Sequence, residues 1–395
     1  MAVMSRSPGN RIGTRPRRAR PRCHLTAGWL PVVVLAGLTS LPGFGAETRH
    51  WGRQFKGLED FSGFARTVTA QATVVLTSPE IATASEWNDL VVSWNARLAP
   101  RASLRLEAQA RYPDHATRFY VLGVWSLNAP AQPRRSVAGQ QDEDGDMHTD
   151  ILSLVQPADR VRVRLTFEGI AASEPTTLTF LGLSFLDTRV DLSSEGMLKP
   201  DPLDPLDPLL VPERSQLLYE GGQAWCSPTA VSMILGYWAE RCGRRDLDRD
   251  VPEVAAEVFD PNWPGTGNWP FNTAYAGAFP GMRGYVTRLA SVNELGAWLQ
   301  RGVPVAASVS YSVLQGRPPS GDGHLVVCVG FTEAGDVIVN DPGTRHEIRR
   351  VFPLADFLRA WAHSHNTVYV THPVDWLSPK DSAGHWHSPG EHTCR

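Results

Sequence analysis

Cysteine is scarce in this chain, which has five cysteines in 395 residues. So few cysteines in so long a chain exclude a disulfide-rich scaffold, and their spacings match no zinc-binding pattern. A single disulfide among Cys242, Cys328 and Cys394 is compatible with the sequence. The formal net charge is only −3, so no excess of basic residues indicates nucleic-acid binding. A phosphate-binding loop of the form G-x-x-x-x-G-K is also missing.

Long apolar runs are equally scarce, and the clearest one lies near the N-terminus. Seven arginines between Arg6 and Arg22 precede the apolar segment 29–41, which is followed by small residues. This pattern predicts a signal peptide over residues 1–46, and therefore a secreted or periplasmic bacterial protein. An uncleaved anchor is the alternative, but the apolar segment is short for a membrane span.

Residues 47–192 have the alternating pattern of β-strands. Two stretches, 103–110 and 160–167, alternate strictly between apolar and polar residues. Such stretches predict half-buried antiparallel strands. No long helical pattern interrupts the region, so we expect an all-β domain of the sandwich or jelly-roll type. A glycan or cell-wall ligand is a candidate partner for this domain.

Residues 193–213 form a predicted linker. The triplet Asp-Pro-Leu occurs three times in KPDPLDPLDPLLVP. Each proline disfavours a helical conformation in the residue before it, so the sequence predicts a stiff, extended and exposed spacer. This spacer marks the boundary between two domains.

Residues 214–376 combine helical and strand patterns. Helices are predicted over 228–238 and 291–300, and Ser291 with Glu294 forms a capping box at the second of them. Strands are predicted over 303–311, 324–331 and 336–340. A helix followed by an antiparallel sheet is an α+β arrangement. We expect residues 377–395 to form a flexible tail that contains histidines.

Cys226 lies just before an apolar run with helical spacing, in QLLYEGGQAWCSPTAVSMILGYW. A cysteine attacks as its thiolate, and both a helix N-terminus and a neighbouring imidazolium lower the pKa of a thiol. Pro228 is favoured in the first turn of a helix, so a helix is expected to begin here. Cys226 is therefore a candidate nucleophile, although a lone free cysteine is also consistent with a buried, inert residue.

A histidine and an aspartate complete a candidate triad. His324 begins a strand pattern after two glycines, and Asp341 ends the next strand pattern. The short connection predicts a hairpin, in which Asp341 can orient the His324 ring. Each residue alone is also consistent with a structural role in the core or in a turn. Their order on a helix and two strands favours a thiol hydrolase.

Residues 215–374 resemble cysteine peptidase family 39, the papain-like bacteriocin-processing peptidases, and in particular their stand-alone secreted C39-like relatives. The matching stretches are SQLLYEGGQAWCSPTAVSMILGYW, GNWPFNTAYAG, GVPVAASVSY, GHLVVCVGFTEAGDVIVNDPGT and the closing FLRAW and VYV. The resemblance implies a papain-like α+β fold that acts on a peptide or protein. It implies that Cys226 is the nucleophile, His324 the general base and acid, and Asp341 the residue that orients the histidine.

Two positions depart from the family pattern. Ser227 follows the cysteine where glycine is common, and Glu220 occupies the usual position of the oxyanion glutamine. We favour Gln216 for this role because Glu220-Gly221-Gly222 resembles an inserted turn, and Gln223 is the runner-up. Either side-chain amide could donate to a tetrahedral oxyanion, together with the backbone N–H of Cys226.

Four aromatic residues are candidates for the substrate cleft. Trp225 precedes the nucleophile and is expected to pack on the histidine. Trp263, Trp269 and Phe271 belong to a stretch rich in Trp, Gly and Asn, and could either line the cleft or belong to the core.

No metal or cofactor is expected. The acidic run 142–146 has no glutamate at the closing position of a calcium loop. We expect the histidines of the tail to belong to a disordered polar end rather than to a metal site. We also expect no exporter or ATPase module in this chain, so a role in leader trimming during bacteriocin export is not favoured.

The sequence as a whole favours a secreted or periplasmic cysteine peptidase that cleaves a peptide or amide bond. Two alternatives stay open. The chain could be a non-catalytic cell-surface or glycan-binding protein with a degenerate peptidase domain. It could also be an acyl transferase that uses the same triad.

Overall fold

The computed structural model describes residues 52–69, 73–127, 133–169, 177–190, 203–379 and 386–387. The predicted signal peptide, the first half of the predicted linker and most of the predicted tail lie outside these residues, as does Cys394. Within the described part of the chain, no helix combines the length and the apolarity needed to cross a membrane.

The N-terminal region consists of strands. They are β1 (Arg53–Leu58), β2 (Ala65–Val68), β3 (Val74–Thr77), β4 (Ile81–Arg97), β5 (Ser103–Arg111), β6 (Tyr120–Trp125), β7 (Gly145–His148), β8 (Ile151–Glu168) and β9 (Thr177–Leu186). They join in the order β1-β9-β4-β8-β3-β2, while β5 and β7 also pair with β8, and β6 pairs with β5. The all-β prediction is confirmed. The described strands form one continuous half-barrel sheet rather than two separate sheets, because β4 and β8 change partners along their length.

The alternating pattern predicts the core of this region correctly. Strands β5 and β8 are antiparallel, with Leu106 opposite Leu165 and Ala108 opposite Val163. All four side chains are buried. The opposite face is partly covered as well, since the buried Glu107 accepts two hydrogen bonds from Arg164, at 2.7 and 2.9 Å.

The C-terminal region combines helices with a six-stranded antiparallel sheet. Its helices are α1 (Cys226–Cys242), α2 (Val251–Val258), α3 (Trp269–Ala278), α4 (Val292–Gln300), α5 (Tyr311–Leu314) and α6 (Leu354–Ala362). Its strands are β10 (Met282–Arg288), β11 (Val305–Ser310), β12 (Gly323–Phe331), β13 (Val337–Asn340), β14 (Arg349–Phe352) and β15 (Thr367–Pro373). They are ordered β10-β15-β11-β12-β13-β14. The predicted order of a helix before an antiparallel sheet is confirmed, but α2 and α3 were not predicted.

The predicted tail contains one further strand. Strand β16 (Trp386–His387) pairs in parallel with Phe55 and Lys56 of β1. The tail is therefore attached to the β region at this point. The sequence predicted only a flexible tail and did not predict this strand.

The second half of the predicted linker packs against the C-terminal sheet with one face, so the expectation of an exposed spacer is wrong for that face, while Asp204, Asp207 and Leu210 are exposed. Leu206 and Phe331 exchange two backbone hydrogen bonds of 3.0 Å. Polyproline-like chains have three residues per turn, so the leucines of the triplets share one face. Those leucines pack on the hydrophobic core; they are Leu203, Leu206 and Leu209. We call residues 203–213 the strap.

The two regions share a tightly packed boundary. The Asn95 side chain of β4 donates to the carbonyl of Gly284 at 2.7 Å and accepts from its N–H at 3.1 Å. Ser93 accepts from the N–H of Val286 at 2.8 Å. These side chains supply partners for the edge strand β10, whose backbone groups would otherwise be unpaired. A Cβ at Gly277 would lie 2.0 Å from Asn95, so this close approach requires glycine.

Candidate active site

Cys226 is the first residue of α1 and is partly buried. The residues after it in the helix are buried, as the apolar spacing predicted. Helix N-termini carry unpaired N–H groups and a partial positive charge, and both stabilise a thiolate. The local sequence therefore places this sulfur where its ionised form is favoured.

His324 lies at the start of β12 and contacts both other members of the predicted triad. Its Nε2 atom is 2.8 Å from Oδ1 of Asp341, and its ring lies close enough to the Cys226 thiol for each group to shift the pKa of the other. Strands β12 and β13 are antiparallel neighbours, and Asp341 directly follows β13. The predicted hairpin thus brings Asp341 to the histidine, and all three residues meet.

The pKa of the cysteine is lowered and the pKa of the histidine is raised. Burial alone raises the pKa of Cys226, but the hydrogen bond and the charge of His324, with nearby backbone groups, outweigh burial and lower it. Burial likewise lowers the pKa of His324, but Asp341 and Cys226 outweigh it and raise this pKa to about 9. Both shifts favour a thiolate–imidazolium pair over a neutral thiol and a neutral imidazole.

Asp341 is fully buried and accepts hydrogen bonds from several donors. Besides His324, they are the N–H of Gly343 at 2.9 Å, the Tyr311 hydroxyl at 3.2 Å and the Arg350 guanidinium at 3.1 Å. Burial raises the pKa of Asp341, but His324, Gly343 and Arg350 outweigh burial and lower it. The carboxylate therefore stays ionised, and its orientation is fixed from several sides.

Sequence reasoning missed Tyr311 and Arg350. The Tyr311 ring lies on the His324 ring, with centroids 4.1 Å apart. Arg350 lies opposite Val339 in the β13–β14 pair, which brings it near the end of β13. The pattern FTEAGDVIVN…RRVF permits a hairpin, but its register depends on the irregular loop between the strands. No local pattern signals either contact.

Trp225 is not the aromatic residue that covers the histidine, contrary to the expectation. Its ring lies beside that of Tyr219, with centroids 6.4 Å apart, and it forms the N-cap of α1. The ring of Tyr311, and not that of Trp225, lies against the His324 ring.

Ser227, the departure from glycine, has a structural partner. Its buried hydroxyl is 2.6 Å from the hydroxyl of Tyr369 on β15. This hydrogen bond joins the first turn of α1 to the central part of the sheet. The serine is thus accommodated because the neighbouring strand supplies a matching polar group.

The structure separates the two glutamines proposed for the oxyanion. Gln216 is buried, and its N–H donates to the carbonyl of Pro342, next to Asp341, at 3.0 Å. Its side-chain Nε2 donates to the carbonyl of Gln223 at 2.7 Å. An amide nitrogen carries two hydrogens, so this bond leaves the second hydrogen able to donate to an oxyanion. Gln223 is exposed.

Phe271 is not a cleft residue. It is 0% exposed and packs against Trp94 and Trp125 of the β region, with ring centroids 6.1 and 5.4 Å away. Helix α3 uses its apolar residues to join the two regions, which sequence periodicity could not reveal. Trp269 begins the same helix, and its N–H donates to Asp150 of the β region at 2.7 Å.

Trp263 lies in an exposed loop that borders the segment before Cys226. The loop is attached through the Thr266 hydroxyl, which donates to the carbonyl of Ala224 at 3.0 Å. Of the three aromatic residues predicted from this stretch, Trp263 has the most accessible ring.

The remaining described cysteines are free thiols. Cys242 is exposed and Cys328 is buried, and burial raises the pKa of Cys328. They are therefore not joined to each other. A disulfide to Cys394 concerns a residue outside the described part.

Comparisons with known proteins agree with the resemblance inferred from the sequence. Residues 208–369 match the model of the Peptidase_C39 like family, and residues 60–184 match that of the Peptidase C39 N-terminal domain. No curated protein matches the chain.

Two solved structures are similar to parts of the chain. A Bacillus anthracis protein assigned as a C39-like peptidase is 16% identical, with a TM-score of 0.33, over 43% of this chain and 98% of its own. A structure of carbohydrate-binding modules from the β-sandwich superfamily is 12% identical, with a TM-score of 0.16, over 36% of this chain and 58% of its own. The two family matches follow one another in chain order, the Peptidase C39 N-terminal domain first and the Peptidase_C39 like family second.

Proposed function

We propose that this chain is a cysteine peptidase with a papain-like catalytic region that cleaves peptide or amide bonds. The observation that carries the proposal is the placement of His324 between Cys226 and Asp341: it lies 2.8 Å from Asp341, and it and Cys226 shift each other's pKa. Its nucleophile lies at a helix N-terminus, and its histidine has a pKa raised to about 9. A buried, inert cysteine would need none of these features.

The proposed reaction begins with attack of the Cys226 thiolate on the substrate carbonyl carbon. The backbone N–H of Cys226 and the side-chain amide of Gln216 stabilise the oxyanion. The imidazolium of His324 then donates its proton to the leaving amine, and an acyl-enzyme remains. Water, deprotonated by His324, attacks the thioester, and the carboxylic acid leaves as the thiolate re-forms.

Each supporting residue has a separate task in this reaction. Asp341 holds the imidazole in one orientation and stabilises its positive charge. Tyr311 covers one face of the imidazole and limits its movement. Gln216 is proposed over Gln223 because it is buried and its backbone N–H bonds to Pro342, the residue after Asp341, whereas Gln223 is exposed.

Export from the cytoplasm is part of the proposal and is supported by the sequence of residues 1–46. Arginines, an apolar segment and small residues follow one another there as in a signal peptide. N-terminal sequencing of the protein from its native host would test this. A mature N-terminus near residue 46 supports export, and an intact Met1 contradicts it.

The activity is tested with a fluorogenic peptide library and three proteins: wild type, Cys226→Ala and Cys242→Ala. We expect cleavage by the wild type and by Cys242→Ala, and none by Cys226→Ala. An added primary amine separates hydrolysis from transfer, because a transferase would form an amide product instead of an acid. Cleavage that survives in Cys226→Ala would contradict the proposal.

A further inference from the structure

Residues 259–268, which we call the Trp263 loop, form a closed and internally bonded segment. Asp260 and Gly265 exchange backbone hydrogen bonds of 2.8 and 3.4 Å. The Asp260 carboxylate is fully buried, and it accepts from the N–H of Asn262 at 3.1 Å and the side chain of Asn268 at 3.3 Å. Because the carboxylate lies inside the loop, the loop is held in one shape.

The β region holds this loop from the other side. The N–H of Ser136 donates to both oxygens of Asp260 at 3.1 Å. The Asn262 side chain donates to the carbonyl of Ser136 at 2.9 Å. Asp260 therefore joins the β region to the C-terminal region at the base of the loop.

The loop also contacts the segment that carries the nucleophile. Thr266 donates to the carbonyl of Ala224, two residues before Cys226. Even with both connecting segments fully extended, the backbones of Trp263 and Cys226 lie within roughly 26 Å of each other. An extended peptide of about eight residues spans that distance.

Two aromatic side chains are exposed on this loop. Phe259 is 43% exposed and Trp263 is 45% exposed, and they are the only exposed large aromatic residues among those the structure describes. The Trp263 ring rests on Gly265 and Gly267, where an added Cβ would lie 3.1 to 3.2 Å from it. A ring fixed on its inner side and open on its outer side is suited to binding, because little entropy is lost when a ligand contacts it.

We propose that Phe259 and Trp263 form a subsite that binds an apolar side chain of a polypeptide substrate, several residues away from the scissile bond. This inference rests on the proposed peptidase function. We expect the bound side chain to be apolar because the two acidic residues nearest to Phe259 in the sequence are already paired. Asp260 is buried with its hydrogen-bond donors, and Glu257 is paired with Arg134 at 3.5 Å. The β region contributes to substrate recognition by holding the loop, without itself having to touch the substrate.

The test uses fluorescein-labelled peptides of about eight residues that carry Phe, Leu or Ser at one position distal to the scissile bond. We expect Trp263→Ala to raise KM about tenfold for the Phe and Leu peptides with kcat unchanged, as expected when only ground-state binding is lost. The Ser peptide and short peptides should be unaffected. Val155→Ala, which removes an apolar side chain 63% exposed in the β region, is the matched control.

Two further measurements separate this proposal from the proposed activity. The rate of Cys226 alkylation by iodoacetamide should be the same in Trp263→Ala and wild type, because the nucleophile is untouched. Binding of the peptides to Cys226→Ala, followed by fluorescence anisotropy, should favour Phe and Leu over Ser without any turnover. If the peptides bind with this preference but wild type cleaves none of them, the peptidase proposal fails and the subsite stands. Equal binding of all three peptides, or equal KM in Trp263→Ala and wild type, overturns the subsite.

Discussion

At the scale of single residues, the site depends on a balance between burial and pairing. His324 and Asp341 are both buried, which disfavours their charged forms. Each nevertheless has its charged form stabilised, because each is paired with an opposite charge and with hydrogen-bond donors or acceptors. The charge of Asp341 therefore favours the protonated form of His324, and protonated His324 in turn favours the thiolate of Cys226.

This coupling predicts the pH dependence of the thiol. Since the pKa of Cys226 is lowered and that of His324 is raised to about 9, the ion pair should persist between these two values. Peptide cleavage should fall as the pH drops through the cysteine pKa and as it rises through about 9. Iodoacetamide rates across pH, with Cys242→Ala as the control, measure the cysteine limb. A Cys226 rate that follows an ordinary free thiol would contradict the coupling.

Asp341→Asn should weaken the coupling without abolishing it. Asparagine still accepts a hydrogen bond from the imidazole but lacks the charge that raises its pKa, so the His324 pKa should fall. The alkaline limit of activity should then move below about pH 9, with a loss of about 10²-fold in kcat. Cys226→Ala should lose more. An unchanged alkaline limit would show that Asp341 does not set the protonation of His324.

Tyr311 allows a comparison of two substitutions at one position. Tyr311→Phe keeps the ring on His324 and removes one hydrogen bond of 3.2 Å to Asp341, so kcat should fall by no more than about fivefold. Tyr311→Ala also removes the ring and leaves the imidazole free to move, so the loss should be much larger. Equal losses in the two variants would assign the effect to the hydroxyl instead of the ring.

At the scale of elements, the Asp-Pro-Leu repeat of the strap contributes its leucines to the hydrophobic core. Its prolines impose an extended conformation, and every third residue is a leucine that packs on the hydrophobic core. The strap approaches so closely at Gly330 that a Cβ there would lie 2.5 Å from the carbonyl oxygen of Leu206. Strap docking therefore depends on a glycine in the neighbouring strand.

Gly330→Ala should consequently displace the strap. Overpacking of this kind costs about 1–3 kcal/mol in the free energy of unfolding, and the midpoint of urea unfolding should fall accordingly. Gly63→Ala is the control, because nothing lies within 4 Å of a Cβ at that position. Equal midpoints for the two variants would mean that the strap is not firmly docked.

At the scale of the whole molecule, the β region and the C-terminal region are joined by buried contacts. Phe271 packs between two tryptophans of the β region, and Asn95 pairs with both backbone groups of Gly284. The core residues of the two regions form one continuous cluster. We therefore expect them to unfold together.

Asn95→Ala tests this expectation. The substitution leaves two buried backbone groups of Gly284 without partners, at about 1–3 kcal/mol each. Far-UV circular dichroism and the accessibility of the buried thiol of Cys328 should report one shared transition, at a lower temperature than in wild type. Asn88→Ala, whose side chain bonds to Thr188 at the surface, should have little effect. Two separated transitions in the wild type would contradict the joint core.

The sequence by itself determined the features that local patterns encode. A proline and an apolar period indicated the helix that begins at Cys226, although the predicted start was two residues late. Strict alternation identified the inner face of β5, and Ser291 was correctly identified as the capping residue before α4. These features were predictable because each depends on residues within a few positions of one another. The order of Cys226, His324 and Asp341, with the family resemblance, supplied the candidate triad.

Only the tertiary structure decided which distant residues meet. It placed Phe271 in the joint core, the leucines of the strap on the hydrophobic core, and Tyr311 and Arg350 beside the candidate triad. An aromatic or apolar residue has the same local pattern whether it lines a cleft or fills a core. The difference arises from the packing of segments far apart in the chain, because burial is a property of the folded surface rather than of the local sequence.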